Sequence, residues 1–179
     1  FLPEINTRIF DGSFGAGLRG KIGEWNVDIS NTYGTNAFDF IITNTHNASA
    51  GTGSPRTFNA GGFQFEQNTT NVDFTRYFET ALQGINVAYG AEYRVETYEI
   101  AAGEEGSYRN YGVVKLIDTN NGQLYESGNS TNIFYNRPGG SQVFPGFQPA
   151  NELKESRSTI AAYADVEFNF SESFFIDVA

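Results

Sequence analysis

From Ile85 to Glu99 the side chains alternate with a period of two. Ile85, Val87, Tyr89, Ala91, Tyr93 and Val95 fall on one parity, and Asn86, Ala88, Gly90, Glu92, Arg94, Glu96 and Tyr98 on the other. Successive residues of a strand point to opposite faces, so this spacing predicts one strand with an apolar face and a small-or-charged face. A helix, at about 100° per residue, would scatter Glu92, Arg94 and Glu96 around its circumference and leave no apolar stripe. The alternation outlasts the roughly 5–6 residues usual for a strand of a soluble domain. It reaches the length a tilted strand needs to cross a bilayer, about 9–11 residues.

The pattern returns near the other end of the chain. Ile160, Ala162, Ala164, Val166, Phe168 and Phe170 share one face, opposite Arg157, Thr159, Ala161, Tyr163, Asp165, Glu167 and Asn169. Weaker versions come earlier. Phe14, Ala16, Leu18 and Ile22 mark one strand, interrupted by Gly20, and Trp25, Val27 and Ile29 open a second. That second strand changes phase near Asn36 before Phe38, Phe40 and Ile42, as a β-bulge would produce. A third is expected from about Phe58 to Phe78, with Phe63 and Phe65 on one parity and Val72 and Phe74 out of register on the other. Phe1 to Asp11 has no clean period and is expected to be a loop. Phe174, Ile176 and Val178 begin a further strand still in pattern at Ala179, so the chain reads as an internal segment of something longer.

The connections have their own rhythm. They are short at 22–24, 79–84 and 171–173, and long at 44–57 and 102–156. In an up-and-down sheet alternate connections lie at one end, so one end is trimmed and the other elaborated, as in outer-membrane barrels with short periplasmic turns and long extracellular loops. Within the longest connection, Val113–Ile117 and Gln123–Tyr125 flank Asn121-Gly122, a hairpin signal. Pro138, Pro145 and Pro149, with Gly139, Gly140 and Gly146, then oppose regular structure. Trp25, Tyr77, Phe78, Phe168, Phe170, Phe174 and Phe175 gather beside the short turns, where an interfacial girdle would lie.

The fold expected is therefore all-β: an antiparallel, up-and-down transmembrane β-barrel segment of about six strands. With the apolar faces towards lipid, Glu92, Arg94, Glu96, Asp165 and Glu167 line an aqueous lumen. The reverse orientation would bury them in hydrocarbon, where a mid-bilayer Arg costs about 2–4 kcal/mol. The competing reading is a soluble β-sandwich with its apolar face in a core and its charged face in water.

Composition narrows the field. Aromatics are 16% of the 179 residues, with 17 Phe and 10 Tyr beside 20 Gly, which suits strands and turns better than helices. A formal charge of -10 argues against nucleic acid and anionic surfaces as partners. No Cys is present, so disulfides and thiolate metal sites are excluded. No run of 18 apolar residues occurs, so no transmembrane helix is expected.

Three stretches, AGGFQFEQNTTNVDFTRYF at 60–78, INVAYGAEYRVETYEIAAGEEGSYRNYG at 85–112 and GSQVFPGFQPANELKESRSTIAAYADVEFNF at 140–170, resemble the middle of the barrel domain of TonB-dependent outer-membrane receptors. Together they cover about half of the chain. The resemblance implies a barrel of 22 strands around an N-terminal plug, in the bacterial outer membrane, importing a scarce nutrient with energy delivered by TonB. Ferric siderophores are the commonest cargo of that family. The implied partners are the rest of the barrel and its plug, TonB, outer-membrane lipid and a small chelate or nutrient. No plug and no TonB-contacting box are among these residues, and six strands do not close such a barrel. Alternatives are a non-transporting surface barrel or adhesin, or a soluble carbohydrate-binding sandwich.

Chemistry-bearing motifs are few. Gly15-Ala-Gly17-Leu-Arg-Gly20 spells a dinucleotide-type glycine pattern, but another strand follows where a helix is needed. Asp118 to Gly122 resembles the start of a calcium loop, yet its twelfth position is Asn129. His46 is the sole histidine, which rules out a multi-histidine metal site and a histidine-based triad. No enzyme activity, cofactor or metal is expected. Tyr108, Arg109, Tyr111, Tyr135, Arg137, Phe144 and Phe147 in the longest loop either line a ligand vestibule or pack that loop against itself; both roles are open.

Overall fold

The computed structural model describes residues 2–80, 82–111 and 137–179, and the backbones of 115–117 and 124–126. Its strands are β1 (Glu4–Ile22), β2 (Trp25–Thr43), β3 (Phe58–Phe78), β4 (Ile85–Ala102), β5 (Lys115–Ile117), β6 (Leu124–Glu126), β7 (Leu153–Ser171) and β8 (Phe174–Val178). Helical structure is confined to α1 (Glu105–Tyr108) and two 3-10 segments, Ala48–Gly53 and Pro149–Asn151. Six antiparallel, up-and-down strands form one sheet in the order β1-β2-β3-β4-β7-β8. β5 and β6 pair antiparallel, as the two arms of the expected hairpin would, with Lys115 opposite Glu126 and Ile117 opposite Leu124. Its turn, with Asn121 and Gly122, lies outside the described residues.

Two expectations about boundaries are corrected. Residues 4–11 are strand and not loop. Their period is unreadable because adjacent Ile9 and Phe10 put apolar side chains on both faces, and both are exposed. Strand structure comes there from pairing with β2, whose end is also tied by side chains: Asn6 Nδ2 donates to Thr43 Oγ1 at 2.8 Å, and Asn44 Nδ2 to the Leu2 carbonyl at 2.6 Å. The longest connection is also shorter than expected, because β4 continues to Ala102 and β7 already begins at Leu153.

The chain divides into two compact units, each assembled from separate stretches: Phe1–Phe10, Asn36–Gln64 and Tyr98–Glu155 in the first, and Asp11–Thr35, Phe65–Thr97 and Ser156–Ala179 in the second. In the second unit the sheet has two chemically distinct faces. On one, Trp25 meets Phe78 and Tyr89 edge-on at 6.3 and 5.1 Å, and Tyr89 stacks on Phe74 at 5.0 Å. Arg76 lies over the Phe78 ring at 4.3 Å while pairing with Glu24. Such ring pairs add about 0.5–1.5 kcal/mol each beyond area burial. By alternation Phe14, Leu18, Ile22, Ile160 and Val166 belong to this face. Leu18 and Ile160 are 80% and 79% exposed.

The other face is ionic and polar. Arg19 pairs with Asp28 at 2.6 Å, Arg94 with Glu92 at 2.6 Å and Arg157 with Glu96 at 2.5 Å. Tyr163 Oη donates to Asp73 Oδ1 at 2.8 Å, and Asn169 Nδ2 to Glu167 Oε1 at 2.9 Å. Farther from the short turns the apolar run of the first face ends. Asn31 and Tyr33, on the parity of Trp25, bond Asn68 and Thr70 at 2.9 and 2.8 Å and Glu66 at 2.8 Å, respectively.

Candidate functional site

Most of the fully buried side chains lie in the first unit, and most of these are small and polar: Asn47, Thr45, Ser49, Ser107 and Ser141, beside Phe58 and Ile42. They tie the loop after β2 to the loop after β4. Asn44, at φ 53, ends β2 in a left-handed conformation that Asn tolerates better than most residues. Thr45 Oγ1 then donates to the Gln142 carbonyl at 3.1 Å, and the Gln142 amide to the His46 carbonyl at 3.3 Å.

Asn47 is the centre of this knot. Its side chain caps the 3-10 segment, with Oδ1 accepting from Ser49 N–H at 3.1 Å and Ser49 Oγ at 2.6 Å. Its Nδ2 donates across to the carbonyls of Gly106 at 2.9 Å and Arg109 at 2.8 Å. Both donors and both lone pairs of the amide are thereby used, which is what allows it to be 0% exposed without the penalty of an unpaired buried dipole. Ser49 Oγ also accepts the Tyr111 amide at 3.1 Å.

Ser107 plays the matching part on the second loop. Its carbonyl accepts the Ser141 and Gly146 amides, both at 2.9 Å, and its Oγ donates to the Glu104 carbonyl at 2.6 Å. Phe147 is spliced between strand ends, donating its amide to the Ala60 carbonyl and accepting from the Gly103 amide, both at 2.9 Å. Its ring and that of Phe144 lie 6.2 and 4.9 Å from Phe40, which with Phe38 and Phe63 forms an aromatic cluster.

Between the two loops is an open cleft of about 520 Å³. Its lining includes Asn47, Ser49, Phe58, Glu104, Gly106 and Tyr111. Volume and mixed lining fall within the usual range for small-ligand sites.

The loop residues singled out from the sequence separate into different settings. Tyr111 lines the cleft, and Arg109 stands 5.5 Å over its ring while paired with Glu105. Tyr108 is half-buried at the end of α1. Phe144 and Phe147 pack on the aromatic cluster; the Arg137 carbonyl accepts from Asn110 Nδ2 at 3.5 Å, and Tyr135 lies outside the described residues. Of the charged strand residues, Glu92 and Glu96 are engaged by Arg94 and Arg157, and Glu167 by Asn169; Asp165 lies on the same parity of β7 as Glu167. Sequence reasoning missed Asn47, Ser49, Glu104 and Phe58. An Asn two residues before a Ser at the end of a strand is a capping signature that could have flagged the first two. No local pattern reports that Gly106 and Arg109 would be their partners.

The fold and these loops define a class: an up-and-down antiparallel β-sheet protein with elaborated, mutually bonded loops. No family model, curated protein or solved structure matches the chain.

Proposed function

We propose that these strands are wall segments of a bacterial outer-membrane β-barrel of the TonB-dependent transporter kind, with the loops at 44–57 and 103–152 on the extracellular side. In this reading the whole protein imports a scarce nutrient, most simply a ferric siderophore, through a larger barrel, of the 22 strands that the resemblance implies. The observation that carries it is the division of the second unit's sheet. Large apolar side chains stand exposed along one face, whereas Arg19, Arg94 and Arg157 are paired with carboxylates on the other. Water on both faces would leave the apolar one without a favourable medium. Lipid on that face and an aqueous, protein-filled lumen on the other suit both.

The strand lengths support the same reading. β1, β2 and β7 have 19 residues each, far more than the roughly 9–11 that a bilayer requires. The change on the lipid-directed face from Phe74 and Trp25 to the polar groups around Asn31 and Tyr33 then marks the point where strands leave hydrocarbon.

The test is localisation and uptake in a Gram-negative cell expressing the full protein. Outer-membrane fractionation together with ferric-siderophore uptake that requires residues 103–152 is expected. Recovery in the soluble fraction, folded without detergent, would overturn the membrane reading; outer-membrane location with uptake untouched by the loop deletion would remove the loop from the ligand path.

A further inference from the structure

The cleft between the two loops has an uneven stock of hydrogen-bonding groups. Both Nδ2 protons of Asn47 are committed to carbonyls, the Ser49 hydroxyl to Asn47, and the amides of Ser49 and Tyr111 to side-chain oxygens. These donors, which an anionic ligand would use, are therefore spent inside the knot. What remains is of the opposite kind. Among the described residues no hydrogen bond or ion pair engages the Glu104 carboxylate, which lines the cleft and is exposed. Arg109, the cation beside Tyr111, is already neutralised by Glu105. Tyr111 is 43% exposed, and Ala50 and Pro55, backed by the buried Phe58, supply an apolar lining.

We infer that this cleft binds a ligand bearing an alkylammonium group, with the cation against Glu104 and Tyr111 and the aliphatic stem along Ala50 and Pro55. A carboxylate and an aromatic face both favour a cation, the first by a charge-assisted hydrogen bond and the second through the ring quadrupole. The walls are held by buried, fully bonded side chains, so little ordering is left for the ligand to impose. The inference stands on the first unit alone and does not require the membrane reading.

The experiment is titration of the full protein with n-pentylammonium, followed by NMR shifts of the Ala50, Gly53 and Gly106 amides, with n-pentanol and glucose as neutral probes. Saturable shifts with pentylammonium, and weaker ones with pentanol, are expected. Glu104→Gln should weaken pentylammonium binding at least about tenfold, as removal of a charge-assisted bond does, and leave pentanol unchanged. Tyr111→Leu should weaken it less. Glu104 uses only backbone groups in the described hydrogen bonds, so the Gln variant should keep the fold, which unchanged amide spectra would verify. Equal binding of pentanol, indifference to Glu104→Gln, preference for glucose, or no saturable shift with pentylammonium in large excess would each overturn the inference.

Discussion

Tyr163 on β7 reaches Asp73 on β3, with 2.8 Å between Oη and Oδ1, although β4 lies between their strands in the sheet. Gly90 of β4 makes this possible. A Cβ there would meet Asp73 Oδ1, would come within 2.6 Å of Tyr163 Cε1, and within 2.8 Å of the Val72 carbonyl. The glycine leaves a gap in the wall that the tyrosine ring covers, so three strands are tied by one side chain.

Gly90→Ala should therefore destabilise the fold by about 1–3 kcal/mol, in spite of alanine's lower entropy cost, because the added methyl displaces packed atoms. Tyr163→Phe should cost less, about 0.5–1.5 kcal/mol, the net worth of an ordinary hydrogen bond. Denaturant unfolding of both single variants, of Tyr163→Ala, and of the pair Gly90→Ala with Tyr163→Ala provides the check. The methyl should cost less once the ring is gone. Additive effects would show that Tyr163 does not fill the gap.

Asn47→Ala should loosen two loops at once. It strands the Gly106 and Arg109 carbonyls and removes the cap from the 3-10 segment, for a combined loss of roughly 3 kcal/mol. Limited proteolysis should open new cleavage sites both in 44–57 and in 103–111. Cleavage confined to the first stretch would show that the knot does not couple them.

Val143 sits at φ 82 and is 64% exposed, a left-handed backbone that a β-branched residue adopts only under strain. The turn around it is closed by Ser141 Oγ donating to the Phe144 carbonyl at 2.6 Å. Val143→Gly should relieve that strain and raise stability by about 0.5–1 kcal/mol, after the entropy glycine gives to the unfolded chain. A loss of stability on denaturant unfolding would mean that the valine side chain makes a compensating contact.

Leu18→Arg distinguishes the media on the two sides of the sheet. If its face meets hydrocarbon, the cost should be about 2–4 kcal/mol when folding is measured in lipid vesicles. An effect within about 0.5 kcal/mol, as is usual for an exposed surface position in water, would place Leu18 outside the bilayer.

The alternation of Ile85–Val95 and Ile160–Phe170 and the breaks at 44–57 and 79–84 were enough to place β4, β7 and the ends of β2 and β3, because a period of two is a local property that survives without partners, whereas the first residues of β1 carry no such period. The same residues indicated which face is apolar. The tertiary structure alone decided what lies across from what: that Tyr163 passes over Gly90 to Asp73, that Asn47 satisfies carbonyls 59 and 62 positions away, and that Phe144 and Phe147 pack on Phe40 while Tyr111 borders a cleft. Hydrogen bonds between distant loops leave no periodic trace, since each depends on the route of two backbones at once.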